Sequence, residues 1–298
     1  MRIREHLMKY LFQQILNALQ MGSIYALIAL GYTMVYGILT MINFAHGDLF
    51  MVGAFFCFIA AAFLHLPFVA VLFLSIIGVA FLGVLIEQLA YKPLRQAPRV
   101  SAIITALGVG IFLENVMLAI YPDPKNIPVI FQNNTWQMFG LTFSSLQMFI
   151  IALSLILMLI LDFIVSRTMV GIAMRAISWD RKTVPLMGVP VNLVISVTFA
   201  LGAGLGAAAG VMYGLAYPVI DPYMGIMVGW KAFISAVVGG IGNIRGAMLG
   251  GFILGGVEIM VAAFLPSTYR DFVAFSLLLV LLIFRPYGIL GKPHTQKV

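Results

Sequence analysis

The side chains with chemical capacity in this chain are set in apolar sequence: Asn43, His46, Asp48, Glu114, Asn115, Asn243 and Glu258. An ionisable group at the centre of a bilayer costs about 2.5 kcal/mol or more unless a partner or a watery cavity receives it. His46 and Asp48, two residues apart, have the composition of a proton relay or a metal site. The other histidines, His6, His65 and His294, fall in a tail or at the ends of apolar runs, and no second ligand joins the pair, which argues against a metal. No serine sits in a Gly-x-Ser-x-Gly elbow and no His-Glu-x-x-His occurs, so no catalytic residue and no bound cofactor is expected. Two readings stay open. Asn43 and Asp48 cap a broken helix, Asp48 accepting from free backbone N–H groups, or they line a transport pathway. For Glu114, Asn115 and Glu258, hydrogen bonding between helices and a pathway role are both open. Glu87 and Asp162 lie close to basic loops and are read as interfacial or as paired with Lys92 and Arg167, while Lys231 is placed to snorkel.

The polar residues come with glycines. Gly31-Tyr32-Thr33-Met34-Val35-Tyr36-Gly37 leads into Ile42-Asn43-Phe44-Ala45-His46-Gly47-Asp48, a glycine-bearing break within an apolar run. Irregular backbone at membrane depth needs protein or water around it. A second break, Gly239-Gly240-Ile241-Gly242-Asn243-Ile244-Arg245-Gly246, echoes the first in the other half of the chain. Paired interruptions of this kind point to a midplane site in transporters, and chance similarity in a glycine-rich chain is the alternative. Gly47, Gly239, Gly240, Gly242 and Gly246 are therefore the candidate helix-break glycines. Gly202, Gly206 and Gly210 stand on one helical face, where another backbone can approach closely.

The elements that must carry these residues are membrane helices. The chain of 298 residues is 62% hydrophobic and 9% charged, with a mean hydropathy of +1.09. That is more apolar surface than a water-soluble fold can hide. Spans are expected at 11–39, 49–64, 68–91, 102–121, 146–164, 193–217, 246–265 and 272–284, with a half-length helix at 225–238. The fold class is thus all-α: a polytopic membrane protein of about eight spans, one or two of them interrupted, forming a single domain over 1–298. Basic clusters at Lys92–Arg99, at Arg167–Lys182 and after Arg285 mark the cytoplasmic side. The connection 122–141 and the turn 265–271 then face out. Arg2, Arg4 and Lys9 favour a cytoplasmic N-terminus, which requires the 40–48 break to keep one of the three runs before Lys92 from crossing fully; three full crossings would place it outside. These loop charges are not a nucleic-acid signal. Cys57, the one cysteine, reads as a small buried or lipid-facing hydrophobe, and the long first run lacks the pause of a cleaved signal peptide.

The longest basic loop, about 166–191, carries Arg175, Asp180, Arg181, Leu186 and Gly188. It reads either as an interfacial helix on anionic lipid, with Trp179 as anchor, or as a coupling segment for a cytoplasmic ATPase. No Gly-x-x-x-x-Gly-Lys-Ser/Thr loop is present, so the energy source is an ion gradient or another subunit.

The motifs Gly22–Gly37, Asn43–Gly47, Glu87–Arg95, Arg175–Gly188, Lys231–Gly242 and Pro286–Gly291 together resemble the LivH-type permeases of branched-chain amino-acid ABC importers, nearly end to end. The resemblance implies a multi-pass permease of the bacterial inner membrane, partnered by a homologous LivM-like permease and two LivG- and LivF-like ATPases. A periplasmic or lipoprotein substrate-binding protein would deliver the amino acid, with ATP and Mg held on the partner subunits. It implies alternating access and favours an ATPase contact at Arg175–Gly188. Helix ends freed at Asn43–Asp48 and Gly239–Gly246 would then meet the amino acid in passing. Urea, short amides or a wider range of amino acids are alternative substrates within the family. A stand-alone ion-coupled transporter is the alternative from another class.

Overall fold

The computed structural model describes residues 2–291 except Gln96, Phe139 and Lys182, with the side chains of residues 2–6 and of Arg99 also undescribed. The expectations placed on Lys182, Lys292, His294 and Lys297, and on the side chains of Arg2, Arg4, His6 and Arg99, lie outside the described residues. Ten α-helices occur among those described: α1 (Arg2–Leu39), α2 (His46–Ala62), α3 (Phe68–Ile86), α4 (Arg99–Ile120), α5 (Ser145–Arg167), α6 (Met169–Trp179), α7 (Val191–Ala216), α8 (Met224–Gly239), α9 (Ile244–Phe264) and α10 (Tyr269–Phe284). A π-helical turn, Glu87–Tyr91, and a 3-10 turn, Lys92–Leu94, continue α3.

Six helices (α1, α3, α4, α5, α7 and α9) are long and apolar enough to cross a bilayer. The expected spans at 49–64 and 272–284 are instead α2, of 17 residues, and α10, of 16. At ~1.5 Å per residue both fall short of a ~30 Å hydrocarbon core. The half-length helix expected at 225–238 is α8, of 16 residues. Short strands add what an all-helical reading omits. β2 (Thr135–Met138) and β3 (Leu141–Ser144) form an antiparallel hairpin, and β1 (Lys125–Asn126) pairs with β4 (Val219–Ile220).

α1 and α7 form the centre. Their most apolar stretches are 89% and 78% buried, against 22% for α4 and for α5. α9, α7 and α8 pack along α1, and α2 and α3 pack along α7. The glycine stripe of α7 makes this possible: Gly202 faces Gly31 of α1, Gly206 faces His46, and Gly210 faces the backbone of Phe50. At Gly210 an added Cβ would collide with the Phe50 carbonyl, while at Gly202 and Gly206 it would just touch Gly31 and His46 at 3.4 Å, so the stripe lets these neighbours approach closely. Gly206 lies near the middle of α7, so α2, which begins at His46 beside it, starts inside the layer rather than at its edge.

The N-terminal expectation is corrected. Gln13 bonds to both backbone groups of Thr142 in β3, at 3.1 and 3.0 Å, and Tyr10 donates to the Ala263 carbonyl at 3.1 Å. These contacts set the start of α1 at the end of the molecule that carries the 122–141 and 265–268 connections, opposite the basic loops. The break at 40–45 does not cancel a traverse. α1 runs its full length first, and α2 then returns to the starting end, where Phe68 meets Phe131 and Phe149.

α2 crosses α8 at a glycine pair, where a Cβ on Gly229 would lie 2.9 Å from the Gly47 Cα. Gly229→Ala is expected to destabilise the detergent-solubilised protein by about 1–3 kcal/mol through overpacking. Gly108→Ala, with nothing within 4 Å of its added Cβ, is the control. Thermal unfolding of both variants checks this, and equal melting temperatures would refute the close crossing.

Candidate functional site

The break after α1 opens with Thr40, in the left-handed region at φ 52°, and closes on α2 at Ala45, whose side chain offers no cap. Neither Asn43 nor Asp48 caps this helix. Asn43 Oδ1 accepts from Tyr91 Oη at 2.6 Å, buried, which ties the break to the π-helical turn after α3. His46 is 1% exposed and packs beneath Gly31 and Gly206, edge-on to Tyr32 with ring centroids 4.9 Å apart. It is a buttress of the crossing. Its Nε2 has no hydrogen-bond partner.

Asp48 is the residue this arrangement presents. It lines a cavity of about 90 Å³ together with Tyr32, Phe44, Glu114, Gly225 and Trp230. The carboxylate fits because its neighbours are glycines: Oδ2 lies against Gly110 of α4, and Oδ1 lies 2.9 Å from where a Gly225 Cβ would stand. Phe44 packs on Trp230 and Phe233, at 5.4 and 5.8 Å between centroids, giving the cavity an aromatic wall. Leu107, Ile111, Ile226 and Trp230 are exposed and form its rim between α4 and α8.

The other sequence candidates lie elsewhere. Asn115 is exposed on α4, and its amide bonds back to Ile111 O at 2.7 Å. Asn243 caps α9 by accepting from Gly246 N at 3.2 Å and donates to Leu290 O at 2.7 Å. The second break is therefore closed by the chain itself: Ile289 N and Leu290 N bond to Val238 O and Gly239 O. Gly240 and Gly242, at φ 111° and 91°, make this turn. Gly239 packs directly on the Gly246 backbone. The two breaks thus share glycines but not a role.

Glu258 is also fully engaged. Tyr25 Oη donates to one oxygen at 2.6 Å and Lys231 Nζ to the other at 2.7 Å, while Lys231 reaches Asp271 at 2.9 Å. Glu87 pairs with Arg95 and accepts from Ser196 at 2.6 Å, and Asp162 pairs with Arg245 at 3.2 Å. Lys92 and Arg167, expected from chain proximity, are not these partners. For Asp162 the cation comes from a crossing helix, α9, and for Glu87 from Arg95, about two turns further along its own segment. Tyr25, Tyr32, Tyr91, Phe44 and Trp230 were not among the sequence candidates. Phe44 stands beside Asn43, Trp230 beside Lys231 and Tyr32 beside Gly31, a signal the sequence offered; Tyr25 and Tyr91 carry no such mark.

The loop after α5 is built as an amphipathic helix and a turn. α6 buries Gly171, Met174 and Ile177 and exposes Met169, Ile172 and Trp179, followed by Leu186 and Met187. Arg175 is turned inward onto the Val165 carbonyl. Asp180 Oδ1 accepts from Thr183 N at 3.2 Å, and Gly188, at φ 78°, closes the 3-10 turn Val184–Met187. Burial and then the Arg95 charge hold the Arg181 guanidinium below its ordinary pKa, with Glu87 opposing, so the charges of this loop and of the end of α3 act on one another.

A polar break buried at mid-depth beside a lateral cavity, in a bundle of lipid-length helices, marks a multi-pass membrane permease. The family described as branched-chain amino acid transport system / permease component matches residues 14–282, and the chain belongs to it. It is 44% identical over 299 residues to the high-affinity branched-chain amino acid transport system permease protein BraD of Pseudomonas aeruginosa, covering 96% of this chain and 97% of BraD. To LivH of Escherichia coli K12, described in the same words, it is 41% identical over 303 residues, covering 97% and 98%. To the probable branched-chain amino acid transport permease protein LivH of Methanocaldococcus jannaschii it is 28% identical, covering 92% and 91%.

The Lys231–Glu258 pair gives a stability test. Lys231→Met leaves the buried Glu258 carboxylate without its cation, and a loss of about 3–5 kcal/mol is expected. The double variant Lys231→Met, Glu258→Leu should recover most of it, as measured by thermal unfolding in detergent. A single variant as stable as the parent would place the pair in water.

Proposed function

We propose that this chain is one of two homologous permeases in an ABC importer that takes up branched-chain amino acids across the bacterial inner membrane. The observation that carries the reading is the near-full-length identity to BraD and LivH, both described as branched-chain amino acid permeases. A LivM-like permease completes the pathway, two LivG- and LivF-like ATPases supply ATP hydrolysis, and a periplasmic or lipoprotein binding protein delivers leucine, isoleucine or valine. The reaction chemistry resides on the ATPases, and this chain moves rather than converts its substrate.

Alternating access needs a movable element that both sides can bias. The exposed Met169, Trp179, Leu186 and Met187 offer an apolar docking face for an ATPase. Behind that face, the Arg181 charge acts on the Arg95–Glu87 pair, and the turn that carries Glu87 also carries Tyr91, which holds Asn43. A displacement of the loop would thus reach the break before α2, and through it Asp48. Urea, short amides and other amino acids remain the competing substrates, because selection can rest with the binding protein.

The reading is tested by co-expressing the chain with its neighbouring permease, ATPases and binding protein, and following labelled leucine into ATP-loaded proteoliposomes. Uptake that requires both ATP and binding protein is expected. Stimulated ATPase activity without leucine uptake would move the substrate to urea, amides or other amino acids. Uptake by this chain alone, driven by an ion gradient, would overturn the importer assignment. In the same assay Leu186→Asp should lower uptake about tenfold, as a charge placed in an apolar contact would. The ATPases should then co-purify in reduced yield. Normal co-purification and uptake would remove the docking face.

A further inference from the structure

Two carboxyl groups, Asp48 and Glu114, line the cavity between α2, α4 and α8, and no lysine or arginine lines it with them. The nearest cation in sequence is Lys231, one residue past Trp230, and its ammonium is committed to Glu258 and Asp271. Asp48 is 6% exposed, yet its Oδ1 has no hydrogen-bond partner. A buried carboxylate oxygen with no donor is costly unless something brings one. The Asp48 and Glu114 carboxyls are also hydrogen-bonded to each other; one proton shared between them serves a single oxygen and leaves the other acceptors of the pair without a donor.

We propose that Asp48 and Glu114 form the subsite for the primary ammonium group of the transported amino acid. The inference rests on the importer reading above and names the part of the substrate that this chain contacts. Three features of the cavity fit an ammonium head better than other cations. The aromatic rings of Tyr32, Phe44 and Trp230 border it, and ring faces attract alkylammonium groups. A divalent metal ion asks for six or more oxygen ligands, whereas beyond the two carboxyls the lining side chains add one oxygen, the Tyr32 hydroxyl, among aromatic rings, glycines and aliphatic groups. The volume, about 90 Å³, suits the head of an amino acid. The rim formed by Leu107, Ile111 and Ile226 offers apolar surface to a branched aliphatic tail lying towards the mouth. Gly110 and Gly225 are part of the same design, since a side chain at either position would meet the Asp48 oxygens.

The test uses the assembled complex and two readouts. Ile111→Cys is alkylated with a maleimide, and the rate is read by mass spectrometry of its own peptide, which separates it from Cys57 and from partner thiols. The competing probes are leucine, 3-methylbutylamine, which keeps the amine and drops the carboxylate, and 4-methylpentanoate, which does the reverse. Leucine and the amine should slow alkylation and the acid should not, and Asp48→Asn should abolish the protection. Leucine uptake into ATP-loaded proteoliposomes should fall about tenfold or more in Asp48→Asn and in Glu114→Gln, the loss of a charge-assisted bond. Protection by the acid but not the amine, or Asp48→Asn with full protection and full uptake, would overturn the subsite. Should Asp48→Asn fail to assemble, the amine and acid probes on the parent carboxyls still decide it. No leucine uptake by the unsubstituted complex would instead remove the branched-chain reading. Amine protection lost in Asp48→Asn would then still support the ammonium subsite.

Discussion

A helix that begins inside a bilayer presents backbone N–H groups that lipid cannot satisfy. Everything at the centre of this protein follows from housing one such beginning, that of α2 at His46. α1 and α7 close around it, and α8 crosses it at Gly47 and Gly229. The glycines of α7 let His46 and Phe50 approach a backbone instead of a side chain. The stripe at Gly202, Gly206 and Gly210 is thus the socket of the break. The peripheral helices α4 and α5 are left with mostly lipid-compatible surfaces.

The acidic groups obey the same constraint. Glu258 and Asp162 each meet a cation from a different helix, so each pair staples two elements together, while Glu87 meets Arg95 just beyond its own turn and is tied to α7 through Ser196. A paired charge is neutral to its surroundings, and these three can be read as architecture. Asp48 breaks the pattern, because its neighbours are glycines, aromatic rings and another carboxyl. That exception separates the cavity from the rest of the polar set.

Much of this was legible in the residues. The break at 40–48 and the half-length helix near 225–238 follow from composition and glycine placement, and the structure has both. The partners of the polar residues were not legible. Asn43 and Asn243 look alike in sequence, each in a glycine-flanked break, yet one accepts from Tyr91 and the other caps α9. The difference is set by what crosses nearby, a long-range fact that spacing does not carry. The side of the N-terminus was misjudged for a related reason. Parity depends on whether a broken run still returns the chain to its starting face, and only packing decides that. The strands escaped notice because two- and four-residue pairings leave no periodicity to read.

The small ladder between β1 and β4 has a mechanical meaning. It joins Lys125 to Ile220 and Asn126 to Val219, with Ile127 N bonded to Pro218 O at 2.9 Å. The chain leaves α4 just before this ladder and enters α8 just after it. The two helices that frame the cavity mouth are therefore clasped at one end, like the legs of a pair of tweezers. While the clasp holds, they cannot part as parallel rods. Any widening of the mouth must be a splay whose amplitude grows with distance from the ladder, towards the end that carries the basic loops.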